Sequence, residues 1–373
     1  MHAPHTLLTL CRKDAIIASF NLDPRSFRPV FKETPTQIHI TIHREPVEEG
    51  DQASRELLGF IRFNRKAGSV ELTNFQAELK RKNLLMGLST KRGHDVFAGC
   101  HGEGFKLAAM VLRREGHSVR FAASEYYWNF GLRGRDRSYL ACRLSRAKVE
   151  AVEKKKRDFA ARSAKPKFRR GLTSNIWEDV TVRVGKAKGD WGVFVSEEDF
   201  RSWLTVAIDL NPPSPTDVVQ TAAGDLILDA RFEGHIYLKG LRIVGHGTDF
   251  AHGYNLARGT IGRDRDRLKT SAEEDEILNA IWEQAILTRG PDAVDTYIKL
   301  VHDREGCPEV GLTGQKLPKS AVLVIWARLR TLNPNTFFYP KGGPSQLPAI
   351  DQVYDPSSIH AHQELIIVRQ RST

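Results

Sequence analysis

Gly99-Cys-His-Gly-Glu-Gly-Phe-Lys106 opens an apolar helix expected over residues 102–115, and its reading decides the fold. Glycines at 99, 102 and 104 admit positive φ and let the backbone approach a bulky ligand. The first N–H groups of a helix have no partner within it, and the helix dipole adds to their attraction for phosphate. Lys106 brings a cation to the same turn, and His101 is placed to contact phosphate or to cap the helix. Cys100 is either a thiol activated by the helix terminus or a small buried residue. The plainer alternative for the three glycines is a tight loop-to-helix turn without a ligand.

Ten residues upstream lies Ser89-Thr-Lys-Arg92, which supplies hydroxyls and two cations to the loop entering the glycines. A first helix expected over Thr6–Phe20 carries Asp14-Ala15. This order resembles the ATP-binding domain shared by gyrase, the ninety-kilodalton heat-shock chaperones, histidine kinases and MutL (GHKL), and looks most like the MORC and MutL branch. The resemblance implies an α/β sandwich that holds ATP, with Mg²⁺, under a mobile lid. It carries the nucleotide-binding role onto Asp14, Asn74, Ser89, Thr90, Lys91, Arg92, Gly99, His101, Gly102, Gly104, Phe105 and Lys106. It also implies a following transducer domain that returns a lysine to the γ-phosphate. Ile236-Tyr-Leu-Lys-Gly240, Gly253-Tyr-Asn255 and Arg263-Asp-Arg-Asp-Arg267 look like that region, with Lys239 as the lysine. Surface ion pairs are the plainer account of 263–267. Nucleotide-driven dimerisation is the class behaviour implied.

The pattern breaks at the first helix. The family's Glu-x-x-x-Asn-x-x-Asp-Ala, aligned on Asp14-Ala15, puts Leu7 at the water-activating glutamate and Cys11 at the Mg²⁺-binding asparagine. Leucine accepts no proton, and a thiol is a poor ligand for a hard cation. Either catalysis has decayed on a surviving fold, or the chain lacks a proper N-terminus. An acid from elsewhere, such as Glu103, is a third possibility. The stretch nearest the family's adenine-reading Asp-x-Gly-x-Gly is Thr73-Asn-Phe-Gln-Ala77. Asn74 keeps an acceptor oxygen for the adenine amino group, while Gln76 crowds the base pocket.

The chain has 373 residues, 40% of them hydrophobic and 27% charged, which excludes disordered and fibrous classes and favours two domains. No apolar run approaches the roughly 20 residues of a membrane helix, so no membrane partner is expected. Thr6–Cys11 has no charged segment before it, which argues against a secretory signal. Four scattered cysteines form neither a disulfide framework nor a paired zinc motif. An intracellular setting, cytoplasm or nucleus, is the expectation, and no metal site is assigned. His360 and His362 lack a third ligand. The net charge of +11 is concentrated between Arg143 and Arg170, where 12 basic residues face 3 acidic ones. That segment suggests a tail, a linker, an import signal or a nucleic-acid contact, with Phe159 and Phe168 as stacking platforms.

The fold class expected is α/β: an ATP-binding domain over 1–212, with the basic segment 143–170 as an insertion, and a transducer-like α/β domain with a helical extension over 213–373. Within the first, strands are expected at 37–43, 57–62, 68–72, 117–123, 138–144, 181–185 and 191–195, and helices at 78–88 and 197–208. Asn211-Pro-Pro-Ser-Pro215 is the linker. Beyond it, 225–232 and 235–244 look like a strand pair, followed by helices at 273–288, 292–303 and 320–332. The scaffold alternative is a non-catalytic or nucleic-acid-binding module that uses residues 143–170.

Overall fold

Alternation in Gln37–Arg44 buries Ile38, Ile40 and Ile42 and exposes the residues between them more fully. That period of two sets the inner face of a large sheet. The computed structural model describes residues 27–44, 56–85, 104–166, 168–186, 192–243, 249–260, 268, 270–303, 307–314, 317–332, 334, 337–339 and 367–369. The chain divides into two compact units, Met1–Asn211 and Pro212–Thr373, each mixing helices and strands.

The first unit is built on eight strands: β1 (Phe27–Glu33), β2 (Gln37–Arg44), β3 (Leu57–Asn64), β4 (Ser69–Asn74), β5 (Ser118–Ala123), β6 (Tyr126–Arg133), β7 (Tyr139–Arg146) and β8 (Val180–Gly185). They form one antiparallel sheet in the order β1-β2-β3-β4-β8-β5-β6-β7. Helix α1 (Gly104–Arg114) follows β4 in sequence, α2 (Val149–Ser163) follows β7, and α3 (Glu197–Leu204) follows β8. One face of the sheet packs Ile40, Ile61, Leu72, Val182, Phe121 and Trp128 against Ala108, Ala109 and Leu112 of α1 and Phe200 and Trp203 of α3. Phe200 stacks on Phe63 with ring centroids 4.8 Å apart. Ser196 caps α3 by accepting the Asp199 N–H, and three acids in the first turn suit the dipole.

Several expected elements differ. Residues 126–133, between the strands expected at 117–123 and 138–144, form β6: Trp128 and Phe130 point into the core while Tyr127 and Asn129 point out. The helix expected over 78–88 is a short 3₁₀ turn at Arg81–Leu84 within the described residues. There Lys80 is extended, its ammonium pairs with Glu78, and the Asn83 side chain accepts the Lys80 N–H. Residues 192–195 are not a strand: Val193 and Val195 donate to the Gly116 and Gly68 carbonyls as single ties. The basic segment 143–170 is not a loose tail but the end of β7 and all of α2.

In the second unit, β9 (Val218–Gln220), β10 (Gly224–Ile227), β11 (Ile236–Leu238), β12 (Leu241–Ile243) and β13 (Gly253–Leu256) form a sheet ordered β12-β11-β13-β10-β9. The expected pairing of 225–232 with 235–244 is replaced: β10 pairs with β9 and β13, and β11 folds onto β12. Helices α4 (Ser271–Arg289), α5 (Pro291–Asp303), α6 (Pro308–Gly314) and α7 (Lys319–Leu332) follow, with β14 (Phe337–Tyr339) paired to β15 (Ile367–Arg369). Trp282, Ile281 and Ile277 of α4 pack on Leu226, Ile236 and Tyr254 of the sheet. Among the described residues no helix is long and apolar enough to cross a membrane.

Candidate functional site

The end of the large sheet where β4 and β5 finish holds Asn74 and Lys106, the two described polar residues of the first unit that the sequence singles out for nucleotide binding. Helix α1 closes with the His117 N–H bonded to the Leu112 carbonyl and the Gly116 N–H to the Arg113 carbonyl, with Gly116 at φ +90°. This left-handed cap reverses the chain into β5 within three residues. The helix therefore runs back over β5, and its first turn lies above the Ala123 end. Phe105 in that turn packs on Phe121 and Phe130, with centroids 6.0 and 6.5 Å away.

Asn74 ends β4 at the same edge and on the same face, since β4 buries Val70, Leu72 and Asn74 inward. β4 and β5 flank β8, so they lie two strand spacings apart, about 10 Å. Asn74 is 3% exposed, and its Oδ1 has no hydrogen-bond partner among the described residues. A buried polar atom of this kind is costly unless something supplies the missing bond. Opposite it on β3 is Gly59, where a Cβ would meet the Thr73 carbonyl oxygen at 2.4 Å. The two strands approach too closely there for any side chain.

Two residues on, Gln76 takes φ +50°, the left-handed region that favours glycine. Its N–H donates to Asp179 Oδ1 at 3.2 Å. The other oxygen of Asp179 accepts from Arg170 at 2.5 Å and from the Asn175 N–H at 2.6 Å. Burial pushes the Asp179 carboxyl up to about 6, against the downward pull of the Asn175 N–H, Arg170 and the Gln76 N–H. The Arg170 guanidinium lies 3.7 Å from the centre of the Phe75 ring. Thr73 and Thr181 share a buried hydroxyl bond at 3.1 Å beneath this layer.

Lys106 is nearly buried, and its ammonium donates to the Asn83 and Leu85 carbonyls at 3.1 and 2.6 Å. It ties α1 to the chain that precedes residue 86. The positive charge expected at the helix start is present, with donors engaged by the backbone. Gly104 is the first residue of α1. Asp14, Leu7, Cys11, Ser89, Thr90, Lys91, Arg92, Gly99, Cys100, His101, Gly102, Glu103, the 263–267 stretch, His360 and His362 lie outside the described residues. Of the expected nucleotide contacts, the structure brings Asn74, Gly104, Phe105 and Lys106 to one end of one sheet face.

Lys239 belongs to the second unit. With Gly240 it forms the two-residue turn between β11 and β12, both at positive φ (52° and 79°). Its N–H donates to the Leu256 carbonyl, and the Gly240 N–H to Asn255 Oδ1. Asn255 in turn donates to Asp225 at 2.7 Å. The Gly253-Tyr-Asn255 motif is thus a strand whose Tyr254 is fully buried.

Asp179, Arg170 and Thr181 are the site residues that sequence reasoning missed. Arg170 closes the basic run and reads there as one more surface cation. Phe159 and Phe168, expected as free stacking platforms, pack on each other at 5.8 Å, and Phe159 also meets Trp177. Among the described residues no group of three His, Cys, Asp or Glu side chains is placed to hold a metal ion. No family model and no curated protein matches the chain.

Proposed function

We propose that the first unit binds ATP in the manner of the GHKL class and acts as a nucleotide-dependent conformational switch. The observation that carries this reading is the buried, unpartnered Oδ1 of Asn74. It stands at the adenine-reading position of the resemblance, on the face and at the edge where α1 begins. The left-handed backbone at Gln76 gives further support, because the family pattern has glycine there. Phosphates would lie on the Gly99–Lys106 turn under the Ser89–Arg92 lid, with Mg²⁺ as companion, and Lys239 would be the transducer lysine. Hydrolysis is weak or absent in this account, since Leu7 and Cys11 stand where the acid and the asparagine are needed. Closure over nucleotide would favour a homodimer. Replacing Gly102 and Gly104 by valine abolishes binding in this reading; unchanged affinity would sink the assignment.

The second reading is a non-catalytic scaffold or nucleic-acid-binding module. It is favoured by α2, where Lys154, Lys155 and Arg157 are exposed and have no carboxylate partner among the described residues. Lys156 of the same helix is paired with Glu125 and Glu153.

A further inference from the structure

The outer face of the eight-stranded sheet, turned away from α1 and α3, carries a row of cations drawn from five strands. Registered pairs place Lys32 opposite His39, His39 opposite Arg62, and Arg62 opposite Glu71. The row continues through Glu71 to Arg183, to Arg120, and across β6 to Arg143. Side chains on one row of an antiparallel sheet share a face. The row therefore holds Lys32, Arg62, Arg183, Arg120 and Arg143, with Glu71 as its one carboxylate. Glu71 is already shared by Arg62 and Arg183. Lys32, Arg120 and Arg143 are exposed and have no carboxylate partner among the described residues. The His39 imidazole in this row sits below its ordinary pKa through burial and then through Arg62 and Lys32, consistent with positive potential along it.

Eight strands span seven spacings, about 34 Å. Sheet twist turns each strand by about 20–25° relative to the last, and the side-chain directions with it, so the cations wind around this axis as they cross the sheet. The rows on either side carry uncharged residues: Ser69, Gly185 and Gly131 on one, and on the other Phe60, Thr73 and Thr181, which are buried beneath Phe75 and Arg170. Guanidinium groups suit phosphate because they present several donors in one plane.

The geometry points to a docking surface for the phosphodiester backbone of a nucleic-acid duplex along the Lys32–Arg143 row. This rests on the second reading only for the class of partner, and moves the contact from α2 to the sheet. A single strand would need a series of free aromatic platforms. Tyr127 is covered by the Arg120 guanidinium at 4.0 Å, and Tyr139, exposed at the β6–β7 hairpin, is one ring alone. An acidic peptide would need apolar anchors at the centre of its interface, and this row offers none.

The test measures binding of the full chain to a labelled duplex of roughly 20 base pairs, about two helical turns, over a salt series. The variants are Lys32→Ala/Arg120→Ala/Arg143→Ala and, in parallel, Lys154→Ala/Lys155→Ala/Arg157→Ala. The sheet variant is expected to lose on the order of 100-fold in affinity at low salt, with a salt slope shallower by about 3. Its melting temperature stays close to the wild-type value, since none of the three side chains is in an ion pair and only Arg120 has a stacking partner, the Tyr127 ring. Loss in the α2 variant with none in the sheet variant would overturn the inference and leave the second reading standing. Tighter binding of a single strand of equal length would overturn it too. Absence of duplex binding by the wild-type chain would overturn both.

Discussion

The Asp179 carboxylate accepts the backbone N–H of Gln76 at 3.2 Å, across 103 residues of sequence. That bond fixes the left-handed turn immediately after Asn74, and Arg170 anchors the other carboxylate oxygen. Asp179→Ala would strand two backbone donors and leave Arg170 with Glu178 as its carboxylate. Breaking a buried pair from one side costs about 3–5 kcal/mol. Chemical denaturation of the variant should show a loss of that order; a loss under about 1 kcal/mol would mean that Asp179 does not hold the turn.

The same residue sets a pH dependence. Its carboxyl lies at about 6 in the folded chain, against about 3.9 when unfolded. A raised folded pKa means that the folded state holds the proton more tightly. The contribution to stability is full below about pH 4 and is lost as pH rises through about 6. Denaturation of the wild type and of Asp179→Asn across this window separates the effect from carboxylates shifted downward, such as Glu71 and Glu197. The wild type should lose about 2 kcal/mol relative to the variant between pH 4 and pH 7. A constant difference would contradict the assignment.

Gln76→Gly relieves a side chain held at φ +50°. A non-glycine residue in this region costs about 1–2 kcal/mol, offset in part by the greater freedom of unfolded glycine. The variant should therefore gain up to about 1 kcal/mol in thermal unfolding. Destabilisation would show that the Gln76 side chain makes a contribution of its own.

Glu309 plays the corresponding structural role in the second unit. It is 1% exposed, and Oε1 accepts from the Ala251 and His252 N–H groups and from the Tyr254 hydroxyl. Trp282 Nε1 donates to the same hydroxyl at 3.0 Å. Burial raises the Glu309 carboxyl above its ordinary value. Glu309→Ala would leave these donors without their acceptor, at about 1–3 kcal/mol each, whereas Glu309→Gln keeps an acceptor oxygen. Equal unfolding midpoints for the two variants would refute the role.

Elements with a clean period were legible in the sequence. The Ile38, Ile40, Ile42 alternation marked β2, and the apolar run after Gly104 marked α1. What failed was decided by tertiary contact. The sequence assigns β6 no element because its aromatic residues fall on both faces. The expected helix at 78–88 was overridden where its carbonyls serve other partners, Leu79 accepting from Ser124 and Asn83 and Leu85 from Lys106. At the site, Asn74 was visible because a motif pointed to its position. Asp179 was not, since a lone acid beside Glu178 carries no pattern until the fold brings Gln76 to it. The cation row was invisible for the same reason: each strand supplies one member, set among apolar neighbours.

The most direct test of the central claim is calorimetric and thermal titration with ATP, with and without Mg²⁺, on the wild type and Asn74→Ala. Because Asn74 Oδ1 makes no bond among the described residues, the substitution should change the stability of the ligand-free chain by less than about 1 kcal/mol. The account predicts saturable binding to the wild type, with stabilisation near 2.7 kcal/mol at about 100 times Kd, and loss of both in Asn74→Ala. No binding to the wild type up to about 1 mM nucleotide, or equal binding to both chains, would contradict it.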